Sequence, residues 1–132
     1  MFFSLSGGKK KVLIVDDDPS IRRLIHVRLE QREKLDVSHA ENGVSGLKHA
    51  LSYRPDLVIL DWMLPDKSGP QVLNELKKHD STKDIPVLML TGKNKVGDVE
   101  RAFKLGANDY LTKPVDLSKL GQKVSKLLEA SN

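Results

Sequence analysis

The sequence contains no cysteine. Disulfides, zinc–thiolate centres, iron–sulfur clusters and a thiol nucleophile are excluded, and no redox compartment is marked. Aromatic residues make up only 5% of the chain, leaving little material for base stacking. The formal net charge is +4, but the basic residues are spread along the sequence rather than gathered, so direct nucleic-acid binding is not expected. No apolar run approaches the ~20 residues that cross a bilayer, so no membrane contact is expected. Met1-Phe2-Phe3 is broken at Ser4 and has no basic residue ahead of it, unlike a signal peptide. The expected location is the cytoplasm. What remains is a chain of 132 residues, 39% hydrophobic and 30% charged, the composition of one globular domain. Residues 1–8, ending in Gly7-Gly8, are expected to be a flexible tail, and residues 9–130 the domain.

Three apolar runs, Val12 to Val15, Leu57 to Leu60 and Val87 to Leu90, have the length and continuity of strands covered on both faces. Asp36 to Ala40 and Asp109 to Thr112 mix polar residues and suit edge strands. Helical spacing falls between them. Ile21, Leu24, Ile25 and Leu29 follow Asp18 as N-cap and Pro19 in the first turn. Val44, Leu47 and Leu51 come next, then Val72, Leu73 and Leu76. Val99, Ala102 and Phe103 are closed by Gly106, and Leu117, Leu120, Val124, Leu127 and Leu128 mark a last helix. Five βα units predict an α/β, flavodoxin-like (βα)5 doubly wound parallel sheet in the order 2-1-3-4-5, which puts the two weak strands at its edges. That topology places a ligand crevice at the carboxyl ends of the first and third strands.

The residues at those ends are polar. Asp16-Asp17-Asp18 follow the first strand, Asp61 the third, Thr91-Gly92 the fourth and Lys113-Pro114 the fifth. Two unit charges about 4 Å apart cost roughly 4 kcal/mol at an effective dielectric near 20, so converging carboxylates must raise their pKa values or enclose a cation. Oxygen ligands without histidine or cysteine favour Mg²⁺, with Mn²⁺ as a substitute. Lys113 adds a fixed positive charge and Thr91 a hydroxyl, and Gly92 lets a bulky anion approach the backbone, so a phosphoryl group suits the crevice. Without cysteine or a Ser–His arrangement, the best nucleophile is the carboxylate of Asp61.

At these residues the chain resembles the receiver domain of two-component response regulators, and in length the single-domain, chemotaxis-type members. The resemblance runs from about Lys9 to Leu128 and rests on Asp61, Pro65 and Gly69 in a D-x-x-x-P-x-x-x-G pattern, with Asp16, Asp17, Thr91 and Lys113-Pro114 around it. It implies that Asp61 accepts a phosphoryl group from a histidine kinase or phosphotransfer protein. It further implies that Asp17 and Asp61 bind Mg²⁺ through side chains and Met63 through its backbone carbonyl, while Asp16 acts through a metal-bound water. Thr91 and Lys113 would hold phosphoryl oxygens, the bond before Pro114 would be cis, and Tyr110 would be a switch aromatic that turns inward as Thr91 moves. A phosphoryl group adds about 1.5 to 2 negative charges and three acceptor oxygens, enough to re-bias the adjoining loops. The face expected to respond is built from the fourth helix, fifth strand and fifth helix, roughly Lys95 to Lys126, and would bind a protein target in one state only.

The resemblance implies that Met63 and Lys93, each two residues beyond a site residue, border the path of the hydrolytic water, and Met63 is expected either to shield the acyl phosphate or merely to pack against the loop. Trp62, the single tryptophan, adjoins Asp61 and should report on the crevice. His26, His39, His49 and His79 show no metal-ligand spacing, Lys9-Lys10-Lys11 reads as a solvated lead-in, and Asp66 to Gly69 reads as a turn. An aspartyl-nucleophile phosphatase would need a second acid where Met63 stands, and an FMN carrier a Ser/Thr/Gly-rich loop where the three aspartates stand. A receiver-like module without the switch fits poorly with the full acidic set. The expectation is therefore a phosphoacceptor, not an enzyme with turnover, acting as a monomer or weak homodimer, or else a receiver fragment of a larger regulator with an output domain.

Overall fold

A computed structural model describes residues 8–92 and 96–130. Most of the expected tail, Lys93 and Lys95 therefore lie outside the described residues. The elements alternate as β1 (Lys11–Val15), α1 (Pro19–Gln31), β2 (Asp36–Ala40), α2 (Gly43–Tyr53), β3 (Leu57–Asp61), α3 (Gly69–Lys78), β4 (Val87–Thr91), α4 (Val96–Lys104), β5 (Asp109–Thr112) and α5 (Leu117–Ala130). The strands form one parallel sheet in the order β2-β1-β3-β4-β5, as expected. β1, β3 and β4 are covered on both faces, which is why their sequences run apolar without alternation. One core layer joins Ile14, Ile59 and Leu90 to Ile25, Leu29, Leu120 and Val124 of α1 and α5. The other joins Val15, Leu60 and Met89 to Ala50, Val72, Leu73 and Leu76 of α2 and α3, with Ala102 of α4. Among the described residues no helix is long and apolar enough to cross a membrane.

Three helices each turn one residue of the expected apolar face to solvent. On α1, Ile25 and Leu29 are buried but Leu24 is 57% exposed. On α2 the buried residues are Gly43, Gly46 and Ala50, while Val44 faces solvent. The cause is close approach: a Cβ on Gly46 would lie 2.8 Å from Val15 Cγ1, so the backbone of α2 rests on β1 and small residues make the contact. On α4, Ala102 is buried and Phe103 is 44% exposed, its ring edge-on to Tyr110.

Gly69 fixes the loop that follows β3. Its N–H donates to the Trp62 carbonyl at 2.7 Å, and a Cβ there would stand 2.2 Å from the Asp61 carbonyl oxygen and 2.9 Å from Trp62 Cα. Both obstacles are backbone and cannot swing aside. Gly69→Ala is expected to cost about 2 kcal/mol and to displace Asp61, which denaturant titration and Mg²⁺ affinity would register together. An unchanged midpoint would show that the loop yields freely.

Candidate functional site

The site is assembled where β1, β3, β4 and β5 end. Asp16 follows β1 and is fully buried, Asp61 ends β3 at 5% exposure, Thr91 ends β4 at 2%, and Lys113 follows β5. Asp61 and Thr91 are thus the last residues of their strands rather than loop residues, and pairing of Asp61 with Leu90 and of Thr91 with Thr112 holds their backbones in the sheet. Asp17 is exposed at the rim. One carboxylate oxygen from each of Asp16, Asp17 and Asp61 lies within 4.8 Å of the others.

The acids are held in distinct ways. Asp16 Oδ1 accepts the N–H of Asp18 at 2.9 Å, and its Oδ2 is ion-paired with Lys113 Nζ at 3.0 Å. Arg22 Nη1 donates to the Asp16 carbonyl at 2.6 Å. Asp18 caps α1, accepting from Ser20 and Ile21, so it is occupied in starting the helix. Asp61 Oδ2 lies 3.2 Å from Lys113 Nζ. Burial above all, then the charge of Asp16, pushes the Asp61 carboxyl up to about 6, against the pull of Lys113. Burial works to lower Lys113, but the Asp16 and Asp61 carboxylates outweigh it and leave its pKa raised. The Lys113–Pro114 bond is cis, in line with the resemblance.

The Thr91 hydroxyl is buried and finds no hydrogen-bond partner among the described residues. Such a group ordinarily costs about 1–3 kcal/mol, and here it stands in the same crevice as the acids and the lysine. Tyr110 lies two residues before Thr112, partly buried against the α2–α3 layer, with Lys123 Nζ 5.7 Å from its ring centroid. Met63 is 76% exposed and pairs with Ser68 in an isolated antiparallel bridge, so it lies over the loop rather than in the core.

The Asp66-to-Gly69 turn does more than reverse the chain. Asp66 accepts from the N–H groups of Gly43 at 2.7 Å and Val44 at 2.9 Å, tying the β3–α3 loop to the start of α2. The Val44 and Gly43 hydrogen bonds hold its pKa below the usual carboxylate value. Ser68 then caps α3 in a reciprocal pair with Gln71. The serine-to-glutamine spacing is local, but the Asp66 contact spans 23 positions and only the folded topology reveals it.

Residues 12–125 match the model of the response regulator receiver domain. The chain belongs to that family. The receiver domain is 41% identical over 122 residues to the DNA-binding dual master transcriptional regulator RpaA of a Synechocystis strain, covering 92% of this chain and 50% of that protein. It is 38% identical over 119 residues to the phosphate regulon transcriptional regulatory protein PhoB of Pseudomonas aeruginosa, covering 90% of this chain and 52% of the relative. The chain spans about half the length of these curated relatives. Among solved structures, a Francisella response regulator receiver domain superposes with a TM-score of 0.87 at 29% identity, over 94% of this chain and 100% of that one. Vibrio cholerae chemotaxis protein CheY4 gives 0.85 at 28% identity, over 91% and 99%. The flavodoxin-like fold of this receiver domain agrees with both.

Proposed function

We propose that this receiver domain, spanning residues 9–130, is a phosphorylation-driven switch whose phosphoacceptor is Asp61. The observation that carries the proposal is the buried, unpartnered Thr91 hydroxyl in the crevice where Lys113 and three carboxylates converge. A carboxylate oxygen of Asp61 attacks the phosphorus of a phosphohistidine on a kinase or phosphotransfer partner. The P–N bond breaks as the P–O bond forms, and the imidazole leaves with the bond's electron pair and takes up a proton. Thr91 then donates its hydroxyl hydrogen to one phosphoryl oxygen, and Lys113 pairs with another. Domains of this kind hold and lose a phosphoryl group rather than turn over a separate substrate.

The donor set fits Mg²⁺, with hard oxygens gathered on one rim. Asp17, exposed, and Asp61 would be its side-chain ligands, with the Met63 carbonyl as a third. Asp16 is already engaged by the Asp18 N–H and Lys113, which suits contact through water. Bound there, the ion supplies positive charge that offsets the charge accumulating on the transferring phosphoryl oxygens.

Phosphorylation would draw Thr91 toward the new oxygens, and Tyr110 would follow inward, changing the α4–β5–α5 face read by a protein target. Curated relatives about half of whose length this chain spans favour the alternative that the switch is the receiver part of a larger regulator with an output domain. Basic residues spread along the sequence do not favour direct nucleic-acid contact in the proposed role, and a cytoplasmic location suits a kinase-dependent switch.

Trp62 tests whether the crevice assembles. Its N–H is held by the Leu90 carbonyl at 2.8 Å and its ring packs against the α2–α3 layer beside Asp61. Saturating Mg²⁺ followed by beryllofluoride should change its emission in the parent and not in Asp61→Ala. An unchanged parent spectrum would contradict the arrangement. Met63 bears on lifetime: Met63→Asn should shed its phosphate several-fold faster, because a polar side chain over the loop can orient water. Equal decay rates would remove the shielding role.

A further inference from the structure

Away from the crevice, His26 of α1 and His39 of β2 meet head-on. His26 Nδ1 and His39 Nε2 face each other at 2.5 Å, with the rings edge-on at 71° and 4.7 Å between centroids. The other nitrogen of His26, Nε2, lies 3.2 Å from Glu30 Oε2 one turn along α1. Two ring nitrogens at such range cannot both present lone pairs, so either the N–H of one ring or a metal ion must lie between them. A proton serves when His39 Nε2–H donates to His26 Nδ1. The Glu30 carboxylate selects that arrangement, since accepting Nε2–H of His26 leaves its Nδ1 bare. A carboxylate on the far nitrogen is also what orients a metal-binding histidine and strengthens it as a ligand.

We propose that His26 and His39 form a transition-metal site bridging α1 to the edge strand β2, with Glu30 orienting His26 and water completing the shell. Imidazole donors favour Zn²⁺, Ni²⁺ or Cu²⁺ over Mg²⁺, so this site and the carboxylate crevice select different ions. Ligand bonds of about 2.0–2.1 Å at a tetrahedral angle set the two nitrogens about 3.3 Å apart, so the rings must part by roughly 1 Å. His39 is exposed and His26 only half-buried, so side-chain rotation suffices. On binding, His39 keeps one proton and moves it from Nε2 to Nδ1, and both rings remain neutral. Arg22, which holds the Asp16 carbonyl, precedes His26 by one helical turn. A bound ion therefore stiffens the segment that positions a crevice acid.

The test uses the intact chain with excess Mg²⁺ filling the carboxylates. Zn²⁺ titration calorimetry should give one site per chain, weakened by well over tenfold in His26→Gln and in His39→Gln, by about tenfold in Glu30→Gln, and unchanged in His79→Gln. Cu²⁺ in the same site should show electron-spin coupling to two nitrogens in the parent and one in either histidine variant. Circular dichroism checks that each variant is folded. Zn²⁺ affinity indifferent to both histidine variants, Zn²⁺ binding lost in Asp17→Asn, or a Cu²⁺ spectrum with oxygen donors alone would each overturn the proposal. None of these outcomes depends on whether Asp61 accepts phosphate.

Discussion

Asp61→Asn is expected to make the metal-free protein more stable while removing its capacity to be phosphorylated. The ordinary value for this carboxyl is 3.8, and burial, helped by Asp16 and Asp17 and opposed by Lys113, pushes it up to about 6 in the fold. The folded acid therefore holds its proton more tightly than the unfolded one. That contribution is complete below pH 3.8 and is lost as pH rises through about 6. Above this window the ionised side chain weakens folding by about 3 kcal/mol, using 1.36 kcal/mol per pKa unit. An asparagine carries no charge into the crevice, so at neutral pH the variant should gain about 2–3 kcal/mol, or roughly 8 °C in midpoint. The gap should close on acidification toward pH 4 and narrow in millimolar Mg²⁺, which supplies the missing positive charge. Matched parent and variant melting curves across that pH range would contradict the electrostatic account.

Lys113→Met is expected to act in the opposite direction. Lys113 Nζ stands 3.0 Å from Asp16 and 3.2 Å from Asp61, and Asp16 has no access to solvent. Removing the ammonium leaves a buried carboxylate without its counterion, a change that costs about 3–5 kcal/mol. The melting midpoint should fall by about 10 °C or more at neutral pH and recover in part with Mg²⁺. The double variant Lys113→Met, Asp16→Asn should regain more than half of the loss, because the two residues are coupled rather than additive. A double variant as unstable as the sum of the single changes would show that Lys113 acts by packing.

Taken together, the two variants describe a crevice kept in tension. Acids that repel each other are restrained by one lysine, an imbalance that suits the proposed binding of a divalent ion and then of a phosphoryl group. A comfortable site, with every charge matched and the Thr91 hydroxyl satisfied, would have less to gain from either.

Much of this architecture was legible from the residues alone. The unbroken runs around Ile14, Ile59 and Leu88 marked covered parallel strands, and polar residues at their ends identified the rim, because both signals are local and repeat at four strand ends. Helix faces were less legible. Leu24 and Val44 stand at core spacing yet face solvent; on α2 the cause is the approach to β1 through Gly46, so close that the contact excludes larger side chains. A glycine in an amphipathic pattern marks either weak propensity or close approach, and its meaning depends on what lies opposite. Long-range polar contacts were not legible at all. Asp66 on the α2 N-terminus and His26 against His39 join residues with no spacing signature, because α1, α2 and the edge strand bring them together only after the sheet is formed.

The most direct measurement is to incubate the chain with Mg²⁺ and acetyl phosphate and locate the added group by mass spectrometry after reductive trapping of the acyl phosphate. The account predicts one phosphoryl group, on Asp61, absent when Mg²⁺ is chelated and absent in Asp61→Asn. Label on another residue, or labelling that persists in the variant, would contradict it.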